Sequence, residues 1–169
     1  NLPELMAMFK ETADIQTADM LKLPVPKANY HNIVLQPSEH QKEMVAALGE
    51  RAEAVRNRQV SSSKDNMLLI TNDGRKLALD QRLLSPLLPD SDTGKVTACA
   101  ENVAEIWRRT AEQRSTQMVF CDLSIPCGDG SFNIYDDLRD KLIARGIPAE
   151  EIAYIHSAKN EAQKKELFG

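Results

Sequence analysis

At 169 residues, with 42% hydrophobic and 27% charged side chains, the chain is long enough to bury a core and has the composition of an ordinary globular protein, not of a disordered or fibrous one. No apolar run approaches the roughly 20 residues that cross a bilayer. A formal net charge of −4 argues against a strong free-standing nucleic-acid binder, whose affinity comes largely from neutralising phosphates with Lys and Arg, but leaves room for a body that adds a few contacts to a larger channel.

The opening Asn1-Leu2-Pro3-Glu4 has neither an initiator Met nor a basic-then-apolar leader, which is the expectation for a piece of a longer chain. Leu2 to Phe9 reads as a short helix and a second is expected from about Thr17 to Leu21. Leu23-Pro24-Val25-Pro26-Lys27 breaks any helix, and Tyr30 to Leu35 reads as extended before Pro37. Ser38 to about Asn57 carries a clear helix signature: Ser38 and Gln41 form a capping box, and Met44, Val45, Leu48, Ala52 and Val55 make a stripe beneath a Glu, Lys and Arg surface. Asp65 is expected to cap a further helical segment, interrupted near Asn72-Asp73-Gly74 and resuming from Arg75 to Leu84. Val96, Cys99, Val103, Ile106 and Trp107 mark a long amphipathic helix, which makes Trp107 a core residue.

The stretch from Gln117 to Phe168 organises the reading. Met118-Val119-Phe120-Cys121 is a compact apolar run that stops at Asp122-Leu123-Ser124 and enters a Pro- and Gly-rich loop. A helix follows, with Ser131 as the expected N-cap, Ile134, Leu138 and Leu142 on one face, and Gly146 and Pro148 at its end. Ile152-Ala153-Tyr154-Ile155 reads as a second strand and Asn160 to Phe168 as a last helix. The expected fold class is therefore α/β: a parallel β-α-β-α unit preceded by a mainly helical half, with loops at Asp122 to Gly130 and His156 to Asn160 sharing the sheet edge where ligands bind.

Three cysteines, Cys99, Cys121 and Cys127, lack CxxC spacing and a nearby His pair, and His31, His40 and His156 have no ligand-like spacing. The cysteines read as reduced thiols of a cytosolic protein and no metal site is expected.

The order Leu23-Pro24-Val25-Pro26-Lys27, an extended segment, Pro37-Ser38-Glu39-His40-Gln41-Lys42, Gly74-Arg75-Lys76-Leu77, Arg82-Leu83-Leu84-Ser85-Pro86, Gln117-Met118-Val119-Phe120-Cys121-Asp122, then Ile155-His156-Ser157-Ala158-Lys159 and Lys164-Lys165-Glu166-Leu167-Phe168 resembles the start of the second RecA-like lobe of Swi/Snf-type superfamily-two helicases. It is more closely similar to the helicase-like segment of large phage and mobile-element proteins that often also carry an adenine-specific DNA methylase. The resemblance implies an inter-lobe segment over residues 1–28 and a partial RecA-like lobe over 29–169, with a helical insertion at about 38–114. It further implies that Asp122 and Ser124 after the first run, and Ser157, Lys159 and Asn160 after the second, face nucleic acid. The chain departs from the broader group at Cys121-Asp122, where Ser-Gln is common, and at His156-Ser157, where an acidic residue and Gly are common.

No GxxxxGK[ST] phosphate loop and no Asp-Glu-x-His metal box occur, and the chain ends before the motifs that carry the family's arginine finger. Hydrolysis of ATP needs all three parts. The expectation is thus a catalytically silent fragment that holds no cofactor. ATP, Mg²⁺, DNA and the first RecA-like lobe are implied as cofactors and partners of a cytoplasmic parent. Two alternatives stand beside this reading: a non-catalytic protein-interaction module, and a nucleotide or S-adenosylmethionine-binding α/β domain suggested by Gly128-Asp129-Gly130. Pro126 and the shortage of glycines weigh against the second of these.

Overall fold

The computed structural model describes residues 2–168 other than Ile15, Thr17, Leu23 and Val25, without the side chains of Ala18, Asp19 and Phe168. The chain divides into two compact units, Asn1–Val34 and Leu35–Gly169.

In the first unit, α1 spans Leu2–Thr12 and α2 spans Ala18–Leu21. Pro3 lies in the first turn of α1, where a missing N–H costs no helical bond, and the Thr12 hydroxyl closes the helix onto the Met8 carbonyl at 3.1 Å. Leu5, Met8 and Phe9 of α1 are all exposed. Of the expected second helix and its breaker, Thr17, Leu23 and Val25 lie outside the described residues.

The second unit holds α3 (Glu39–Arg56), α4 (Met67–Leu79), α5 (Lys95–Arg109), α6 (Ile134–Ala144) and α7 (Glu161–Phe168). The capping box at the start of α3 is present in both directions, Gln41 N–H to Ser38 Oγ at 3.1 Å and Ser38 N–H to Gln41 Oε1 at 2.9 Å. The same two residues also fasten α3 to its neighbour, because the Gln41 amide donates to the Leu77 carbonyl at 3.0 Å and the Ser38 hydroxyl to Gln81 Oε1 at 2.7 Å. Farther along, the Arg51 guanidinium grips Asp65 through two nitrogens, at 2.7 and 2.9 Å, and Asp73 at 2.8 Å. Leu77 and Ile70 are the buried apolar residues of α4.

The main core lies where α5 meets α6. Ala100 and Ala104 are small enough to let the helices approach, and they close over Leu142 and Ile147, flanked by Val103, Trp107, Leu138 and Ile152. Burial of a side chain such as Leu142 contributes about 2 kcal/mol. Trp107 is half-buried against this core, as its spacing predicts, and its indole N–H donates to Glu151 at 2.7 Å. The end of α6 explains why Gly146 is there. Ile147 N–H bonds to the Leu142 carbonyl and Gly146 N–H to that of Ile143, a Schellman arrangement that requires the left-handed backbone Gly146 adopts at φ +93°.

The fold-class expectation is corrected here. Among the described residues there is no strand and no sheet, and the chain is mainly helical, so neither the parallel β-α-β-α unit nor the partial RecA-like sheet is present. Met118 to Cys121 has no regular structure and Ile152 and Tyr154 are extended, but the two runs do not pair, and Ile155–Ser157 is a 3₁₀ turn. β-branched and aromatic content marks a segment that suits a pleated, half-buried surface, and it becomes a strand only where a neighbour completes the ladder. Here a tyrosine from α6 intervenes: Tyr135 bonds through its hydroxyl to the Cys121 carbonyl, and its ring packs on that of Tyr154.

Three smaller expectations also change. Asn133, not Ser131, caps α6, accepting from Asp136 N–H at 2.9 Å. Asn66, not Asp65, caps α4, accepting from Leu69 N–H at 3.1 Å, while the Asp65 carboxylate is committed to Arg51. α4 also runs unbroken through Asn72-Asp73-Gly74 to Leu79, since its contacts with α3 outweigh the roughly 1 kcal/mol that a helical glycine costs. The segment after Asp80 is a separate 3₁₀ turn, Gln81–Leu83.

Candidate nucleic-acid interface

The first turn of α6 is the hub of the region that sequence resemblance assigns to nucleic acid. The Tyr135 hydroxyl donates to the Cys121 carbonyl at 2.6 Å, which fixes the end of the first apolar run. Its ring meets the Tyr154 ring edge to face at 5.6 Å and the His156 ring at 5.4 Å, which fixes the end of the second. The loop after Cys121 and the turn after Tyr154 therefore start from one place, although no sheet aligns them.

The five sequence-predicted residues have distinct settings. Asp122 is exposed and ion-paired with Arg75 of α4 at 2.6 Å. Ser124 has a left-handed backbone, φ +62°, and its hydroxyl accepts from the Ile134 N–H at 3.0 Å, so it orders the loop against the start of α6. Ser157 is exposed in the 3₁₀ turn, its N–H donating to the Tyr154 carbonyl at 2.9 Å. Asn160 caps α7, accepting from Gln163 N–H at 2.9 Å, while the Lys159 N–H donates to Gln163 Oε1 at 2.7 Å. The Lys159 ammonium is exposed and has no ion-pair partner among the described residues. Asp122 and Ser124 thus share one loop, Ser157, Lys159 and Asn160 share another, and Tyr135 ties the two to the same helix.

Between them the loop from Ile125 to Phe132 is held open by its own chemistry. Gly128 and Gly130 adopt φ +74° and +75°, and Asp129 accepts from both the N–H and the hydroxyl of Ser131, which keeps its carboxyl below the usual range. Beside the second turn, an open cleft of about 530 Å³ is bounded by Arg139, Ile152, Tyr154, Ser157, Gln163 and Leu167.

Sequence reasoning missed a charged cluster on the other side of α6. The Arg82 guanidinium lies 2.7 Å from Asp80, 3.0 Å from Asp90 and 2.8 Å from Asp137 through one nitrogen, and the Phe132 ring covers it at 4.4 Å. Lys141 pairs with Asp137 at 3.0 Å and also with Asp90. Burial lowers the affinity of Arg82 for its proton, but Asp80 and Asp137 more than offset that and hold the guanidinium above its ordinary value. Burial likewise pushes Asp137 up, and Arg82 and Lys141 overcome it and hold its carboxyl low. The oxygens of Asp80, Asp90 and Asp137 come within 4.8 Å of one another, a spacing that suits a divalent ion, but Arg82 already occupies their centre. The cluster is structural. The signal for part of it was in the sequence, since Asp137 and Lys141 stand four apart on one helix. Nothing in spacing pointed to Arg82, whose partners Asp80, Asp90 and Asp137 are 2, 8 and 55 residues away.

No protein-family model, curated protein or solved structure matches this chain. What the site can do chemically follows from its parts. Exposed hydroxyl, amide and ammonium groups can contact a phosphate backbone.

Proposed function

We infer that the chain is a non-catalytic part of the second motor lobe of an ATP-dependent DNA helicase or translocase of the cytoplasm, and that it presents two loops to a nucleic-acid strand. The observation that carries this reading is the convergence of the Asp122–Ser124 loop and the Ser157–Asn160 loop on Tyr135, which puts both resemblance-assigned segments at one helix end. Lys159 contributes a phosphate contact, and Ser157 and Asn160 contribute hydrogen bonds. ATP, Mg²⁺ and the other motor lobe belong to the parent.

Fluorescence anisotropy with a labelled single-stranded oligonucleotide at low salt tests the reading. Binding by the chain is expected to be salt-dependent, and Lys159→Glu is expected to weaken it and reduce the slope of log K against log salt by about 1. Absence of binding at millimolar protein, or binding indifferent to Lys159, would overturn it. The purified chain is expected to leave ATP intact, and DNA-stimulated turnover would contradict the non-catalytic assignment.

A second reading, a protein-interaction module, is favoured by the exposed apolar face of α1 and by the exposed run Met118-Val119-Phe120. The long helices give it less support: α5 buries Val96, Ala100 and Ala104, although Val45 of α3 is exposed. The nucleotide or S-adenosylmethionine alternative has no observation in its favour, since Ser131-Phe132-Asn133 separate Gly130 from the first turn of α6.

A further inference from the structure

We propose that Arg75 of α4 supplies the phosphate contact of the first loop, and that Asp122 holds its guanidinium there until a nucleic-acid strand takes the carboxylate's place. The inference rests on the nucleic-acid reading and assigns to that site a residue from a distant part of the chain. It starts from charge. Between Arg114 and Arg139 the sequence has no Lys or Arg, while the loop that follows Cys121 carries Asp122 and Asp129. Two carboxylates repel a phosphate, and the Ser124 hydroxyl already serves as an acceptor for the Ile134 N–H. The first loop therefore has no cation of its own with which to meet a nucleic-acid backbone, in contrast to the second, which has Lys159.

The fold brings a cation to it. Arg75, 47 residues earlier in the chain, places Nη2 at 2.6 Å from the Asp122 carboxylate. Its Nε and Nη1 meet no acceptor among the described residues, so most of the guanidinium's N–H donors remain available. The Arg75 side chain is 56% exposed and that of Asp122 80%, so water screens their attraction and the pair gives way readily to a stronger acceptor. A phosphate is such an acceptor, because it takes parallel N–H bonds from a planar guanidinium and its capture releases counterions. Carboxylate and phosphate compete for one cation, which keeps Arg75 at the loop when no strand is bound and yields it when one arrives. Each loop then carries one cation, Arg75 beside Asp122 and Ser124, and Lys159 beside Ser157 and Asn160. Asp122 is a positioning residue and not itself the contact.

Fluorescence anisotropy of the whole chain with a labelled single-stranded oligonucleotide, across a salt series, tests the assignment. Arg75→Gln is expected to weaken binding about tenfold at low salt and to lower the slope of log K against log salt by about 1. Arg75→Lys is expected to keep the slope and lose only part of the affinity, since the charge remains and the planar fork is gone. Asp122→Asn keeps an oxygen acceptor for the guanidinium but not the competing charge, and is expected to tighten binding about twofold to fivefold. Lys64→Gln, which deletes an exposed cation before α4, is expected to bind as wild type. Circular dichroism of each variant separates a lost contact from a lost fold. Binding that depends on Lys159 but ignores Arg75→Gln overturns this assignment alone. So does an Asp122→Asn protein that binds no more tightly than wild type, or an equal loss in Lys64→Gln, which would trace the effect to net charge. A wild-type chain that does not bind overturns the nucleic-acid reading and this assignment with it.

Discussion

The Tyr154 hydroxyl stands 2.9 Å from the Tyr135 carbonyl and 3.0 Å from Asp136 Oδ1, two acceptors for one proton, while the two rings meet at 89°. Tyr135 in turn donates to the Cys121 carbonyl. Two runs without a sheet of their own are thus held to one helix by a chain of phenols, and the loops that follow them inherit their positions from it.

This chain of contacts makes Tyr154 titrate late. Burial raises its pKa first, the Asp136 carboxylate adds to that, and together they push it to about 12. A group whose pKa is raised in the folded state gives stability that is whole below the ordinary tyrosine pKa of about 10 and is lost as pH rises towards 12. Ultraviolet titration is expected to resolve a phase near 12 that Tyr154→Phe removes. The same substitution is expected to cost about 1 kcal/mol at neutral pH, measured by urea denaturation, since it deletes a satisfied hydroxyl and leaves the ring contact in place.

What the sequence made legible depended on how local the determining contact is. The α3 capping box needs only Ser38 and Gln41, and the buried face of α5 needs only the spacing of Val96 and its followers, so both follow from neighbours along the chain. The run at Met118 is the opposite case. Its residues have strand character, but a strand is a relation between two segments, and the segment that meets Cys121 is a helix bearing Tyr135. Ser131 was the expected cap of α6 because serine is a good N-cap, yet its hydroxyl is taken by Asp129, and Asn133 is the residue in position. The Arg82 cluster joins residues from Asp80 to Lys141, beyond the reach of any periodicity.

That cluster sets the response to acid. Asp137 is held low by Arg82 and Lys141 against the pull of its own burial, so its contribution is present above the ordinary aspartate pKa of about 4 and is lost as pH falls through its lowered value. Thermal melts between pH 7 and pH 2 are expected to show this loss, and Asp137→Asn is expected to flatten the profile. Arg82→Met leaves Asp80 without a cation and Asp137 with Lys141 alone. It is expected to destabilise by about 2 to 4 kcal/mol, read from the denaturant midpoint at neutral pH. An Arg82→Met protein as stable as wild type would place the guanidinium outside the forces that hold α6 to the 80–90 segment.

Thiol reactivity separates the cysteines by setting. Cys127 is exposed in the loop before Ser131, whereas Cys99 is half-buried on α5, where burial and the neighbouring Cys121 raise its pKa. Reaction with a chromogenic disulfide at pH 8 is expected to label Cys127 in a fast phase and Cys99 in a slow one, because the thiolate is the attacking species. Cys127→Ser should remove the fast phase alone.

Two glycines with empty space around them are expected to answer substitution in opposite directions. A Cβ would meet nothing within 4 Å at Gly49 or at Gly146, so neither change is decided by a clash. Gly49 lies inside α3 in an ordinary helical backbone, and Gly49→Ala is expected to stabilise by about 0.5 to 1 kcal/mol by restricting the unfolded chain. Gly146 closes α6 at φ +93°, where a Cβ strains the backbone whatever the space, so Gly146→Ala is expected to destabilise by about 1 kcal/mol. Gly146→Asn should cost less, since asparagine tolerates the left-handed region better than other residues. Denaturant midpoints for the three variants measure these differences. A stabilising Gly146→Ala would mean that the Ile147 N–H does not need its bond to Leu142, and that the Leu142–Ile147 contact in the core forms by another path.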